Sequence, residues 1–477
     1  MINIYMPNET PYGERIVEAI KPKYETQEEM IVRLINDHKQ NINDITIGQR
    51  YYDKKSDILD LKAKLDADGQ LDVDKPDWRI TTNFHQNLVD QKVGYTVGNP
   101  VTLSCDNEQA TKQLDEFFDN RWDNKLIDIL TAASNKGIEW LQPYIDEQGE
   151  FKLFRVPAEQ AIPIWTDKER EKLQGFIRFY TLNDEEKVEY WTDTEVTYYV
   201  KEYEQLIPDY YHGENNVQPH FNGGNWSKVP FIPFKNNPEE TSDIHMYKTI
   251  IDAIDKRLSD TQNMFDESAE LIYVLKGYEG QDLAEFMRNL KYYKAINVDG
   301  ENGGVDTIQV EVPVESTKEY LELMRAYLME FGQAVDFQTD KFGNSPSGIA
   351  LKFLYGNLDL KANKLRNKTK VAIQELLEYV IDFYHIKVEV KDIEIVFNYN
   401  RMMNELEQSQ IGAQSQYLSK ETLVTNHPWV TDPSSELERM EQENIEYQEQ
   451  QIEEEGDVDG EEQQGQSKEK RQDTKPE

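Results

Sequence analysis

The sequence predicts an α+β fold that is mainly helical. Long stretches with apolar residues at steps of three and four occupy 241–270, 317–335 and 349–384. Short alternating segments rich in Tyr, Trp and Phe fill the region between 138 and 200. The composition, 38% apolar with 11% aromatic residues, is that of a folded chain long enough for several domains and a large core.

From the N-terminus, 24–66 reads as helix, with Met30, Ile31, Leu34, Ile35 and Ile42 on one face. "DKPDWRITTNF" breaks that pattern. Residues 84–104 begin as helix, turn at Gly98-Asn99-Pro100 and end in a short strand. Residues 110–137 form an amphipathic helix closed by Gly137. Hairpin-like strands follow, with turns at Glu147–Gly149 and Asn183-Asp184, so the first 238 residues read as one mixed α/β region. The stretch 241–270 has neither Gly nor Pro, and it places Ile244, Tyr247, Ile251, Ile254, Leu258 and Phe265 along one face. That is a helix of about 45 Å, capped by Thr241 or Ser242. An insert at 271–316 reads as strand, helix, strand, turn, strand. A second helix at 317–335 puts Tyr320, Leu323, Met324, Tyr327, Leu328 and Phe331 together. Two helices around an insert can lie side by side as a neck, with the insert at its end. Packing along this neck is expected from Ile251, Ile254, Leu258, Leu323, Tyr327 and Leu328. A helix then runs from Ile349 to about Tyr384. A strand in "KVEVKDIEIVFN" and a helix from about Met403 to Leu418 come next.

Charge excludes some functions. The formal net charge is −39, which is not that of a general DNA gripper but allows a channel wall that repels DNA. From Ile349 to Lys370, by contrast, stand Lys352, Lys361, Lys364, Arg366, Lys368 and Lys370 against the single acid Asp359. This is either a solvated basic face or a surface toward an acidic neighbour subunit or nucleic acid. From Ser434 to Glu477 there are 16 acids and 5 bases; the start of this tail can be helical and its end, beyond Gly456, is expected to be disordered. The one cysteine, Cys105, excludes an internal disulfide and a cysteine zinc site. The seven histidines show no metal-pair spacing. No cofactor and no metal are expected. No apolar run reaches a membrane span, and no signal peptide is evident, so synthesis in the cytoplasm is the default. The acids Asp252 and Asp255 read as a solvated helix face.

The loop "FGNSPSGIALKF" has the glycine frame of a phosphate loop, Gly343 to Gly348. Ile349 and Ala350 stand where Lys and Ser or Thr are needed, and the loop follows a helix, not a strand. Nothing else resembles a catalytic motif, and no enzyme is expected. Ser345 can cap the following helix, Pro346 suits its first turn, and the glycines permit unusual dihedrals.

With "DQKVGYTVGNPVTLS", "NKGIEWLQPYIDEQGEFKLFRVPAEQAIPIW", "VPFIPFKNN" and "FGNSPSGIALKFLYGNLDLKANK" in this order, the chain resembles the portal proteins of tailed bacteriophages, especially long-tailed phages of Gram-positive hosts. The resemblance covers roughly residues 20–430 and leaves out the tail after 433. It implies a homo-oligomeric ring, a dodecamer in the family, at one capsid vertex, with double-stranded DNA passing through its channel. It implies a wing at 1–238, stem helices at 239–270 and 317–335, and an α/β clip at 271–316. A tunnel loop at 336–348 and a long helix returning through wing and crown at 349–433 follow, with an acidic tail at 434–477. The loop residues facing DNA would be Asp336, Gln338, Asp340, Lys341, Gly343, Asn344, Ser345, Ser347 and Gly348. The implied partners are the terminase large subunit, the scaffolding and major capsid proteins and a head-completion adaptor, with no membrane involved. The implied location is the virion, and the host cytoplasm during assembly. Rival readings are another head–tail connector or minor capsid protein, or a metal-dependent nucleic-acid enzyme.

Overall fold

The computed structural model describes residues 26–62, 75–166, 168–210, 215–268, 272–276, 304–308, 312–336, 348–399, 418–425 and 439–445, with isolated positions between them. The chain divides into two compact units, Met1–Phe337 with Tyr355–Asn400, and Gln338–Leu354 with Arg401–Glu477.

In the first unit, helix α1 (Gln27–Tyr52) starts with a capping box between Thr26 and Glu29. It ends fourteen residues earlier than the periodicity suggests. Asp53 closes it, Lys54 takes a positive φ, and a 3-10 turn at Asp57–Asp60 folds back so that Arg50 pairs with Asp57 and Asp60. Helix α2 (Phe84–Val97), strand β1 (Val101–Ser104), and helices α3 (Glu108–Phe117) and α4 (Asn120–Lys136) follow. Asn107 and Asp119 cap α3 and α4 with their side chains. Gly137 ends α4 at φ +91°, and a Cβ there would lie 2.1 Å from the Glu240 carbonyl oxygen, so only glycine fits.

All the strand pairings among the described residues are antiparallel. Strand β2 (Ile138–Ile145) lies between β3 (Phe151–Val156) and β10 (Ile232–Lys235). A second sheet runs β4 (Ala161–Trp165), β5 (Leu173–Leu182), β6 (Glu185–Trp191), β7 (Glu195–Glu202) and β8 (Gln205–Pro208), with β9 (Val217–Pro219) also on β7. The turn between β5 and β6 is the expected Asn183-Asp184 pair, both at positive φ as a tight hairpin turn requires. Met30, Ile31, Leu34 and Ile35 of α1 pack on Ile162, Ile177, Phe179 and Val188 of this sheet. Aromatic residues join the two sheets, with Phe176 stacked on Phe231 at 3.8 Å and Trp140 edge-on to Phe176.

The chain next makes a 3-10 turn (Asp243–Met246) and helix α5 (Lys248–Ser268), then the paired strands β11 (Ile272–Lys276) and β12 (Gly304–Ile308) and helix α6 (Val314–Phe331). The single helix expected over 241–270 is therefore split. Ser242 caps the 3-10 turn, and Tyr247 leaves helical geometry before α5 begins. The helix expected over 317–335 lies earlier, after Pro313, and stops at Gly332 before Gln333 at positive φ. Apart from Arg288 and Tyr292, both helical, the helix expected inside the insert lies outside the described residues, as does most of the turn.

Helix α7 (Gly348–Tyr384) begins in the second unit and continues through the first, where Leu365, Ala372, Ile373, Leu376 and Val380 enter the largest core with α2, α4 and β2. Strand β13 (Glu394–Phe397) pairs with β1 and is shorter than expected, because Val390–Asp392 forms a 3-10 turn. In the second unit, α8 (Lys420–Thr425) starts at Ser419, whose hydroxyl accepts from the Thr422 amide. The helix expected from Met403 lies outside the described residues, as does the acidic tail beyond its helical segment at 439–445.

Candidate functional site

The root of the neck is where the chain spends most of its unusual chemistry. Helices α5 and α6 pack on one another. Ile251, Ile254 and Leu328 are buried there with Ile244, Tyr247, Tyr51 and Leu88, and Leu258 is half-buried against them. Leu323 and Tyr327 are instead exposed, at 48% and 40% of their surface. Within one chain the six expected packing residues thus divide into a buried seam and an open face. An apolar groove of about 440 Å³ runs beside the seam, lined by Phe84, Ile254, Leu258, Val314 and Leu321.

The polar side of α5 is not the solvated face expected from its sequence. The extended segment Trp78–Thr82 lies along it, and every second backbone amide meets a side chain four residues further back on the helix. Trp78 donates to Asn263 Oδ1 (2.8 Å), Ile80 to Ser259 Oγ (2.9 Å) and Thr82 to Asp255 Oδ1 (3.0 Å). Two extended residues advance roughly 6.6 Å and four helical residues roughly 6 Å, so the two periods match. Asp255 also accepts from Ser56 Oγ at 2.5 Å and is fully buried. Asp252 accepts from Tyr51 and pairs with Lys248 at 2.7 Å. These carboxylates are occupied by protein donors, and no cluster fit for a metal occurs among the described residues.

Below the seam sits a buried ion triad. Asp243, at the start of the neck, is 2.7 Å from Lys92 of α2 and 3.1 Å from Lys361 of α7. Asn236 donates to Asp243 at 2.9 Å. Burial alone would raise the Asp243 pKa, but the ammonium groups of Lys361 and Lys92 outweigh it and hold the carboxylate well below its ordinary range. Burial lowers Lys92 to about 8. Lys361 Nζ also donates to the Gly332 carbonyl at 3.0 Å, at the C-terminal end of α6, where a cation suits the helix dipole. One lysine of α7 therefore pins both the entry and the exit of the neck. Lys361 stood within the basic run of the sequence, but it is a buried structural group and no part of a solvated face.

His85 lies beside the triad, with Nδ1 2.8 Å from the Tyr247 hydroxyl and Nε2 3.0 Å from Asn135 Oδ1. Burial lowers its pKa to about 4. The folded chain therefore holds His85 neutral, while the unfolded chain binds a proton below about pH 6.5. Stability from this group is full above pH 6.5 and is lost as pH falls toward 4, by about 2–3 kcal/mol. Glu139, raised by burial to about 7, acts in the opposite sense between pH 7 and 4.5. Comparison with His85→Gln isolates the histidine: urea unfolding at pH 7 and pH 4.5 should show a smaller acid loss in the variant. Equal losses would contradict the neutral, buried ring.

The exit of the neck is anchored as well. Gln91 exchanges two hydrogen bonds with the Val335 backbone, both 2.9 Å, and Asp336 pairs with Arg325 at 2.8 Å. Asp336 and Gly348 are thus placed at the two roots of the expected loop, Gly348 as the first residue of α7. Gln338, Asp340, Lys341, Gly343, Asn344, Ser345 and Ser347 lie outside the described residues. Sequence reading missed the triad and the Trp78–Thr82 ladder. The only signal for the ladder was the four-residue spacing of Asp255, Ser259 and Asn263.

The family model described as "Phage portal protein, SPP1 Gp6-like" matches residues 31–450. The chain belongs to this portal family. The match runs past residue 433, so the start of the acidic tail, up to 450, falls inside the family and not beyond it as expected. The portal protein of Bacillus phage SPP1 is 37% identical over 459 residues, covering 92% of this chain and 91% of that protein. The portal protein of Clostridium phage phiCD119 is 31% identical over 428 residues, covering 85% and 93%. Among solved structures, the neck of a native gene transfer agent particle computed with C12 symmetry is similar at a TM-score of 0.41 and 12% identity, over 72% of this chain and 89% of that one. The sequence relatives carry the assignment. This portal protein is a structural component with a portal, or head–tail connector, function.

Proposed function

We propose that copies of this chain assemble into a closed ring, a dodecamer in the capsid, whose axial channel conducts double-stranded DNA during packaging and ejection. The observation that carries this reading is the match to the portal family across residues 31–450, which takes in the whole neck. In this reading 1–238 is the wing, 239–270 and 317–335 hold the stem helices, and 271–316 is the clip. Residues 336–348 form the tunnel loop, 349–433 returns through wing and crown, and 434–477 is an acidic tail. The clip, at the far end of α5 and α6, meets the terminase large subunit and later the head-completion adaptor. The wing faces scaffolding and major capsid proteins at one capsid vertex. The ring itself hydrolyses nothing; the motor's ATPase is a separate chain. The described root supports a mechanical role, since Val335 and Asp336 are held by Gln91 and Arg325 just ahead of a loop whose sequence is small and polar.

The loop's contacts with phosphates would be single hydrogen bonds worth about 1 kcal/mol each, which a motor can break at every step. Asn344→Lys with Ser345→Lys multiplies positive charge around the ring. Packaging in a reconstituted system should slow, and the slowing should weaken as salt rises. Packaging equal to wild type at every salt concentration would move the constriction elsewhere.

A further inference from the structure

Two helix faces in the first unit are left open, and they are opposite in charge. On α6, Glu315, Glu319, Glu322, Leu323, Ala326, Tyr327 and Glu330 follow steps of one, three and four on the exposed side. Of these acids only Glu315 has an ion partner among the described residues, Lys318 at 4.0 Å. Leu323 and Tyr327 project among them, and Phe331 stacks on Tyr327 at 5.8 Å while 49% exposed. On α7, Leu360, Lys364, Lys368 and Val371 form a stripe with the same steps. Leu360 and Val371 are 60% and 52% exposed, and neither lysine has an ion partner among the described residues. In a chain with 91 acidic against 52 basic side chains, a stripe that carries lysines and no acid runs against the overall charge. A purely solvated face also has no use for exposed Leu, Val, Tyr and Phe side chains at helical spacing.

We propose that adjacent copies of this chain join head to tail through these faces, the acidic, aromatic face of α6 on one copy meeting the basic, aliphatic face of α7 on the next. The inference rests on the ring reading and names the surfaces that would close it. The occupant is a second copy because the two faces are opposite in charge and each exposes apolar side chains that the other can cover. Each copy carries both faces, so the contact is heterologous and propagates around a ring, as an isologous contact would not. The faces also belong to helices that Lys361 ties together, so the spacing between a copy's two contacts is held by its own buried core.

The test uses two full-length variants. One carries Glu319→Lys, Glu322→Lys and Glu330→Lys and so presents two basic faces. The other carries Lys364→Glu and Lys368→Glu and presents two acidic faces. Four of these side chains are exposed on α6 or α7 and Lys368 is half-buried, and circular dichroism should show both variants folded. Alone, at low salt, each should need about a tenfold or higher concentration than wild type to form rings, because like charges then meet at every contact. Mixed in equal amounts, they should assemble as readily as wild type, with the two alternating. Rings formed by either variant alone at the wild-type concentration would overturn the pairing, as would folded variants that fail to assemble when mixed. A wild-type chain that forms no ring would overturn the ring reading itself, and the interface with it.

Discussion

Replacing Asp243 by asparagine is expected to destabilise the first unit by about 3–5 kcal/mol at neutral pH. The substitution keeps size and shape but removes the one anion between Lys92 and Lys361, 2.7 and 3.1 Å away. Two buried ammonium groups would then face each other with only carbonyl and amide oxygens for company. Lys92 can escape by losing its proton, which it is already near doing at about 8. A lysine whose pKa is lower in the folded chain gains stability as pH rises from that value toward about 10.5. The loss should therefore shrink when unfolding is measured at pH 10 instead of pH 7. Because Lys361 also holds the end of α6, amides around Gly332–Val335 should exchange faster in the variant. An unchanged unfolding midpoint at pH 7 would mean that the triad does not organise the neck root.

Ile254→Asp and Leu328→Asp should each abolish ring formation. Ile254 is 3% exposed and Leu328 fully buried, in one seam shared by α1, α2, α5 and α6. A carboxylate in that seam finds no donor placed for it and costs several kcal/mol. Leu328→Met keeps the volume and should cost under about 1.5 kcal/mol and leave the ring intact. Leu323→Asp makes a sharper contrast. At 48% exposure that site should tolerate the charge in the isolated chain, with an unfolding midpoint near wild type, and yet hinder assembly. Analytical ultracentrifugation beside urea unfolding separates the two effects. A Leu328→Asp protein that still sediments as a ring would contradict the buried seam.

These two substitutions also mark what could be read in the sequence. The seam was legible because Ile244, Tyr247, Ile251, Ile254 and Leu328 recur at the helical period, and periodicity reports burial well. Gly137, the Asn183-Asp184 turn and the extent of α7 were legible for similarly local reasons. The triad was not. Asp243, Lys92 and Lys361 are far apart in the chain, and a buried charge looks like a surface charge until its partners are known. Asp255 was misjudged for the same reason: its partners, Ser56 and Thr82, lie on segments whose path no local pattern foretells. The split before α5 depended on Ser242 and Tyr247 taking non-helical angles, which the apolar spacing cannot register. Family membership was readable from the joint order of several extended segments, none of them catalytic, and the relatives at 37% and 31% identity agree with it.

The most direct measurement is electron microscopy of the purified full-length chain under assembly conditions, with class averages along and across the particle axis. Closed rings of a single type should appear, each with a narrow neck and an axial channel wide enough for a DNA duplex, whatever the copy number of the recombinant ring. Monomers, open chains, or closed particles with no axial channel would contradict the proposal that this protein is the DNA conduit of a capsid vertex.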